Sequence, residues 1–277
     1  MRPEQFTIVG VDEAEWPIGE IDEPGTLIRV KDITGLGGAG FTHDDDQNAD
    51  QAGVTWRDAM YDPNIIGMTI RSQLMPGDQA VSVEKALRRS LGFQAGRRLG
   101  EFRVDSLLDG EPHRRFQVWR LASVLPSPTY SVTQRLGYFE IKDVALRSDE
   151  SWWRTDPYVR TLFAGDFAGA TVDNVSDEDV WPHFALTGPI TSPTLGLNGE
   201  AVPLPTIGAG QTWTIETDPD WFQINDHTGA DRTWPGRRWY KKAPADTTGI
   251  PLTITGTGTT GATKLVVTLP QLYGAAA

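Results

Sequence analysis

Residues 211–217 have the sequence QTWTIET, and this pattern indicates the class of fold. Two bulky residues, Trp213 and Ile215, alternate there with threonine and glutamate. Successive side chains of a β-strand point to opposite faces, so the alternation predicts a strand with Trp213 and Ile215 on its buried face. The Asp-Pro-Asp turn at 218–220 then predicts a return strand at 221–224.

The rest of the C-terminal half has the same character. Runs at 252–255 and 264–269 predict a second pair of strands, joined by the Gly/Thr-rich segment 256–263. No helical periodicity occurs after Gly188. This half is therefore predicted to be an all-β sandwich or jelly roll.

The N-terminal half also consists mostly of short β-type runs separated by turn residues. The Asp109-Gly110 pair predicts a hairpin turn between two of these runs. The predicted strands lie at 26–31, 65–71, 99–104, 114–125 and 138–146.

One segment of the N-terminal half differs from these strands. Apolar residues recur there at a spacing of four, namely Val83, Leu87 and Leu91. This spacing predicts a three-turn amphipathic helix over Asp78–Leu91 that packs on a sheet. Asp78 or Ser82 is the expected N-terminal cap, and Gly92 is the expected end of the helix.

The region between Ser151 and Gly188 has a looser pattern, with several glycines, prolines and acids. Such a composition is typical of a connection between domains. We therefore expect one domain over 1–158, and a linker with a second domain over 159–277. The predicted fold class is mainly β with one notable α-helix, in two domains.

The overall composition excludes several classes of function. The 277 residues contain no cysteine, which excludes disulfides, thiolate metal sites and thiol nucleophiles. No apolar run is long enough to cross a membrane, and the N-terminus lacks a signal-peptide profile, so a soluble, unprocessed protein is expected. The net charge is −12, and neither half is basic, which argues against a nucleic-acid-binding module.

Two stretches, 35–40 and 256–261, match the glycine spacing of a dinucleotide-binding loop. Such a loop must open a helix, because the pyrophosphate binds at that helix's N-terminus. The first stretch is followed by an acidic segment and the second by a predicted strand. Both are therefore interpreted as ordinary loops, and no cofactor is expected.

The acidic segment 44–50 places Asp44, Asp46, Asn48 and Asp50 at alternate positions, as the start of a calcium-binding loop does. Ala49 replaces the glycine of the sharp turn, and Thr55 replaces the final glutamate. A solvated acidic loop, ordered against a neighbour, is the expected alternative. The four histidines lie too far apart in sequence for a local zinc site, so no metal-binding residue is predicted.

No catalytic residue is predicted either. The sequence contains no nucleophile elbow and no phosphate-binding Walker loop, and nothing singles out a pair of carboxylates. Among the tryptophans, Trp213 is expected in the core. Trp234 and Trp239 flank an exposed-looking loop at 235–238, which is expected either to contact a glycan or protein partner or to cover the edge of its own sandwich.

Six segments carry a family resemblance through their order and spacing. The strongest is 181–193, WPHFALTGPITSP, and the others are 210–219, 252–258, 97–108, 114–121 and 148–154. Taken together, they resemble the distal tail proteins, or minor tail proteins, of phages with long non-contractile tails (siphophages), especially phages of actinobacteria. The resemblance spans about residues 95–270.

This resemblance implies an N-terminal β-sandwich-plus-helix "belt" domain and a C-terminal galectin-like or jelly-roll domain. It implies a structural virion protein, made in the cytoplasm of the host bacterium, that forms a six-fold ring in the tail tip. The ring would join the tail tube to the host-recognition complex and let DNA pass during ejection. The implied partners are copies of itself, the tail tube, tape measure and tail-tip proteins, and a host surface glycan. The family offers no catalytic residues to transfer.

The distribution of charge suggests how such a ring would close. Residues 1–60 hold thirteen acids and four bases, whereas residues 85–120 hold nine bases and four acids. A closed ring brings two different patches together, and these segments are the expected patches. Arg88 and Arg89 lie off the apolar stripe of the predicted helix and are expected to contact the neighbour.

Two other classes of function stay open at this point. One is a carbohydrate-binding, lectin-like protein whose C-terminal sandwich is the active part. The other is a glycan-cleaving tail enzyme with a dispersed pair of carboxylates.

Overall fold

A computed structural model describes residues 4–19, 27–47, 50–92, 98–108, 111–233 and 237–277. The described chain is mostly β-strand, which confirms the predicted class. It forms two compact units, one of residues up to Arg154 with Gly274–Ala277 and one of Thr155–Tyr273. None of the described helices has both the length and the apolar character needed to cross a membrane.

The described residues of the first unit form nine strands, two helices and the start of a tenth strand. The strands are β1 (Glu4–Val9), β2 (Glu15–Ile18), β3 (Ile28–Thr34), β4 (Phe41–Asp46), β5 (Thr55–Tyr61), β6 (Asn64–Ser72), β7 (Gly100–Leu108), β8 (Glu111–Leu121) and β9 (Glu140–Ser148), and the helices are α1 (Gly77–Leu91) and α2 (Tyr130–Leu136).

Seven of these strands form a sheet that closes on itself. Their order is β8-β7-β1-β2-β3-β6-β9, and β9 pairs again with β8. Only β2 and β3 among these neighbours run parallel. The interior is filled by alternate apolar residues of each strand, including Ile8, Ile28, Ile66, Ile70, Phe102, Val104 and Ile141.

Helix α1 confirms the predicted helix, although its start differs from the prediction. Leu87 and Leu91 are buried, and Gly92 ends the helix with φ +85°. The N-cap position is Pro76, and no side chain caps the helix. The predicted caps are therefore wrong, and the Asp78 carboxylate instead accepts a hydrogen bond from Gln134 Nε2 at 2.6 Å.

Helix α2 was not predicted, because its seven residues are too few to show a helical period. Gly137 ends it in the left-handed conformation, with φ +71°. A Cβ at Gly137 would lie 2.5 Å from the Met75 carbonyl oxygen, so this close approach requires glycine. The helix packs against α1.

The second unit is built from two sheets. Its elements are the later part of β10 (Trp153–Phe163), a 3-10 turn (Ala164–Asp166), β11 (Thr171–Asn174), β12 (His183–Thr187), β13 (Thr191–Leu197), β14 (Val202–Pro203), β15 (Thr212–Glu216), β16 (Gln223–Asn225), β17 (Thr247–Thr257) and β18 (Lys264–Tyr273). One sheet has the order β16-β15-β12-β18-β10 and the other β11-β17-β13-β14.

A single apolar core fills the second unit. Trp213 and Ile215 of β15 are buried, as their alternation predicts. Phe184 and Leu186 of the neighbouring β12 lie opposite them in register. The second sheet contributes side chains such as Leu195, Ile250 and Ile254 to the same cluster. As predicted, no helix occurs among the described residues after Gly188.

Two details of the second unit differ from the sequence-based expectation. Strands β17 and β18 do not pair with each other but lie in different sheets, so 256–263 connects the two sheets. The supposed linker contributes β10 and β11, and its residues Leu162, Phe167 and Val172 belong to the core. Most of 155–187 is thus part of the sandwich.

Candidate interaction surface

Strands β4 and β5 form a hairpin that is separate from the closed sheet. They pair only with each other, between the end of β3 and the start of β6. Almost every described residue of the hairpin is exposed. An isolated two-stranded hairpin is at best marginally stable in water, so this hairpin is a natural place for a partner to bind.

A row of aromatic rings follows the hairpin. The Tyr61 ring centroid lies 4.7 Å from that of Trp152 and 5.8 Å from that of Phe41. Phe41 in turn lies 5.1 Å from His43, whose Nδ1 accepts a hydrogen bond from Trp56 Nε1 at 3.2 Å. Trp56 is nevertheless 60% exposed. Such a contiguous exposed aromatic surface is typical of an interface.

The hairpin is also strongly acidic. Its described residues carry five aspartates, whereas Arg57 is their one Lys or Arg. Asp44 lies directly opposite Asp58 in the strand register, and like charges in that position repel each other. Arg57 forms an ion pair with Asp46.

A cationic strip lies on strands β3 and β6 of the closed sheet. Arg29 stands directly opposite Arg71, and Lys31 lies two residues from Arg29 on the same face. These three side chains line a groove of about 200 Å³, together with Val30, Thr69 and Glu140. The Arg71 guanidinium lies 4.5 Å from the centroid of the Tyr138 ring.

The basic stretch 85–120 does not provide the free patch expected from the sequence, because several of its arginines are paired within the first unit. Arg103 contacts both Glu101 and Glu15, and the Glu101 carboxylate raises the pKa of Arg103. Asp105 likewise pairs with Arg114 at 2.6 Å and raises its pKa. These ion pairs neutralise Arg103 and Arg114 before any neighbour arrives.

Arg88 is not a surface residue, which corrects a second expectation. Its Nε donates to Glu84 Oε1 at 2.9 Å, and both side chains are almost fully buried. The other Glu84 oxygen accepts a hydrogen bond from Thr133 Oγ1, and Arg88 also donates to the Pro126 carbonyl. Arg88 therefore holds α1 to the segment around α2, while Arg89 is exposed.

The glycine stretches open no helix, as predicted. Residues 35–40 precede strand β4, and 256–261 lead into β18. Asp44 and Asp46 lie in β4, whereas Asn48 and Ala49 fall outside the described residues. Within the described ranges, no group of three or more His, Asp or Glu side chains is arranged to hold a metal ion.

The tryptophans of the second unit differ in their exposure. Trp239 is buried, lies near Phe184 and Phe222, and donates to the Leu195 carbonyl at 3.0 Å, which agrees with the alternative that this segment covers its own sandwich. Trp234 lies outside the described residues. Trp221 is 76% exposed and Tyr240 73% exposed.

The sequence predicts an acidic loop where strand β4 lies, and so it does not predict the hairpin. A usable signal was present, because 55–61 (TWRDAMY) is rich in the aromatic and β-branched residues of a strand. The partner strand was harder to predict, because its three consecutive aspartates at 44–46 are uncommon in strands. The cationic strip left no local signal, since Arg29 and Arg71 are 42 residues apart in sequence.

No protein-family model matches the sequence, and none of the curated proteins matches it. Solved structures do resemble it. The SPP1 Dit protein, described as a paradigm of the hub adsorption apparatus in phages that infect Gram-positive bacteria, has a TM-score of 0.62 at 10% identity, covering 96% of this chain and 98% of that chain. A chain of the phage p2 baseplate in its activated conformation with strontium has a TM-score of 0.50 at 10% identity, covering 97% and 98%.

These likenesses define the class of fold. The chain has the fold of phage tail hub and baseplate proteins over nearly its whole length. At 10% identity, the comparison supports a shared fold and assigns no role to individual residues.

Proposed function

We propose that this protein is a structural component of a phage tail tip, of the distal tail protein type. The observation that carries the proposal is the likeness to the SPP1 Dit protein across 96% of this chain and 98% of the other. A likeness of that extent includes both compact units. The sequence resemblance to distal tail proteins, drawn from motifs alone, supports the same conclusion.

In the proposed role the protein forms a ring of six copies that joins the tail tube to the host-recognition complex. The first unit makes the ring, and the second is a galectin-like domain. DNA passes through the ring during ejection, and the net charge of −12 suits a passage that must not retain phosphates. The role requires no catalysis, and we assign the protein none.

Immunogold electron microscopy of virions tests this role. An antibody raised against the purified protein should label the end of the tail distal to the capsid. Preimmune serum is the control, and an antibody against the tail tube should label the full length of the tail. Labelling of the capsid, or virions without label but with the protein free in the lysate, would exclude the tail-tip role.

The ring is tested separately on the purified protein. Mass photometry should show a species of about 180 kDa, six times the 30.4 kDa subunit. Negative-stain class averages should show six-fold symmetry. A species with another symmetry would contradict the proposed number of subunits, but it would not contradict the proposed location in the tail tip.

One observation favours glycan binding as a second function of the Thr155–Tyr273 unit. Trp221 and Tyr240 expose about three-quarters of their surface, and exposed rings stack on sugar faces. Glycan-array binding by the full chain should be lost in the Trp221→Ala, Tyr240→Ala double variant. Val175→Ala, at another exposed apolar residue of this unit, is the matched control. If the wild-type chain binds no glycan of the host surface, this second function is wrong.

A further inference from the structure

We propose that the β4–β5 hairpin of one copy docks onto the cationic strip of a second copy. The strip is the surface formed by Arg29, Lys31 and Arg71 on strands β3 and β6. The inference rests on the proposed function, because it supplies the contact that would repeat around the ring. The partner that binds each of the two surfaces is another copy of this chain.

The first argument is that each surface contains a pair of directly opposed like charges. Asp44 faces Asp58 on the hairpin, and Arg29 faces Arg71 on the strip, where Arg71 also stands opposite Glu140 of β9. Directly opposed like charges destabilise a strand pair. Bringing the two surfaces together adds attractions between opposite charges that offset both repulsions, so the charges favour association.

The second argument is the position of the two surfaces along the same pair of strands. The chain runs to the hairpin from the Thr34 end of β3, through residues 35–40, and returns from it to the Asn64 end of β6. Arg29 and Arg71 lie at the other end of the β3–β6 ladder. Five residues of strand separate Thr34 from Arg29, which at 3.3 Å each is about 17 Å. Complementary charges at opposite ends of one ladder suit a head-to-tail contact between copies.

The third argument concerns the apolar part of the hairpin. Phe41, Trp56, Met60 and Tyr61 remain exposed, although Tyr61 and Phe41 already touch each other. In the strand register, Met60 shares a face with the Asp44–Asp58 pair, whereas Phe41 and Tyr61 lie on the opposite face. Charge would then select the partner and the orientation, while Met60 supplies apolar area beside the charges.

A head-to-tail contact uses different patches on the two copies. If the rotation between neighbours closes, such a contact generates a ring, and otherwise it generates an open stack. The hairpin-to-strip contact is therefore of the kind that a ring needs.

Charge reversal on each surface tests the contact. The hairpin variant is Asp44→Lys with Asp58→Lys, and the strip variant is Arg29→Glu with Arg71→Glu. Each reversal keeps a like-charge pair within its own subunit with the opposite sign, and Arg71→Glu in addition places a carboxylate opposite Glu140. Mass photometry should show each variant assembling about 10- to 100-fold more weakly than wild type.

An equimolar mixture of the two variants gives the sharpest result. Each hairpin then finds a complementary strip on the other variant, so the mixture should assemble with alternating subunits, which an even-numbered ring permits. The variant with all four reversals should likewise assemble alone. Rescue in both cases would be expected only if these two surfaces meet.

Three controls make the outcome decisive. Asp156→Lys with Asp220→Lys, at exposed aspartates of the Thr155–Tyr273 unit, should assemble like wild type. Arg29→Gln with Arg71→Gln removes the attraction without adding a charge beside Glu140, and should weaken assembly less than the glutamate variant. Circular dichroism and thermal melting should show that every variant is folded.

The proposal is wrong if the hairpin and strip variants assemble as well as wild type, or if mixing them restores nothing. It is also wrong if the wild-type protein stays monomeric at all concentrations, in which case the hairpin binds a different tail protein or a glycan. The labelling of virions described above decides the tail-tip role independently. Failure of this contact and failure of the proposed function are therefore distinguishable.

Discussion

The two units satisfy their buried polar groups in different ways. In the first unit, buried side chains bond to one another, as Asn64 does to Gln117 and Glu84 to Arg88. In the second, buried polar side chains bond mostly to backbone carbonyls. Asn174 donates to the carbonyls of Glu178, Ala243 and Pro244.

This difference predicts how each unit responds to substitution. A bond between two side chains leaves one buried group unsatisfied when its partner is removed, and that group then opposes folding. A side chain bonded to backbone holds a turn in place, while the surrounding apolar core supplies most of the stability. The first unit should thus be sensitive at its polar pairs, and the second at its core.

The largest effect should come from a fragment that omits the first strands of the second unit. A fragment of residues 155–273 should unfold cooperatively in urea, because it contains the whole apolar core. A fragment of residues 188–277 should remain unfolded, since it lacks β10, β11 and β12 with their core residues. Circular dichroism and proton NMR dispersion distinguish the two. A folded 188–277 fragment would show that 155–187 is dispensable.

Within the second unit, Trp239→Ala should destabilise by about 3–5 kcal/mol, because it removes a fully buried ring and leaves a cavity. The matched substitution Trp221→Ala, at an exposed tryptophan of the same unit, should change stability by about 0.5 kcal/mol or less. Urea titration followed by near-ultraviolet circular dichroism measures both. Equal effects of the two substitutions would contradict the burial described here.

In the first unit, Arg88→Ala should cost about 3 kcal/mol or more, because it leaves the buried Glu84 carboxylate without its cation. Arg89→Ala changes the next residue along the helix, where the side chain is exposed, and should be nearly neutral. Differential scanning calorimetry of both variants separates the effects. A neutral Arg88→Ala would mean that water or another cation satisfies Glu84.

The smallest effect should be a dependence on pH in the second unit. Hydrogen bonds from Thr228 and Arg232 hold the pKa of Asp226 well below its usual range. A carboxyl group with a lower pKa in the folded state stabilises the fold above its unfolded pKa of about 4. That contribution is lost as the pH falls below about 4.

Asp226→Asn cannot ionise and should therefore flatten part of the fall in melting temperature between pH 4 and pH 2. The melting temperature of the wild type should approach that of the variant as the pH decreases. Asp220→Asn, at an exposed aspartate of the same unit, is the matched control. Parallel curves of melting temperature against pH for wild type and Asp226→Asn would show that Asp226 does not contribute to the pH dependence.

Local periodicity predicted the elements that bury one face of a single strand or helix against the core. The alternation in QTWTIET predicted the burial of Trp213 and Ile215, and the fourfold spacing of Leu87 and Leu91 predicted α1. Both signals come from a single element that presents one face to an apolar core. The mainly β class follows from the same kind of signal.

Features created by contacts distant in sequence were not predictable in this way. Arg88 is buried because Pro126 and the α2 region cover one side of α1, which no helical pattern reveals. Trp239 follows a Pro-Gly-Arg-Arg sequence that looks exposed, yet Phe184 and Phe222 pack near its ring. The cationic strip depends on the register of β3 with β6.

The return of the chain to the first unit has a mechanical consequence. The backbone leaves that unit after Arg154 and comes back at Gly274–Ala277, where the Ala276 amide donates to the Leu36 carbonyl at 2.8 Å. Gly38 lies so close to the Gly274 carbonyl oxygen that a Cβ would have no room. The second unit is thus connected to the first covalently after Arg154 and through the hydrogen-bonded segment Gly274–Ala277. A protease cut after Arg154 would therefore leave the second unit attached only by the packing of Gly274–Ala277, and a pulling force would act on a covalent connection and a non-covalent one.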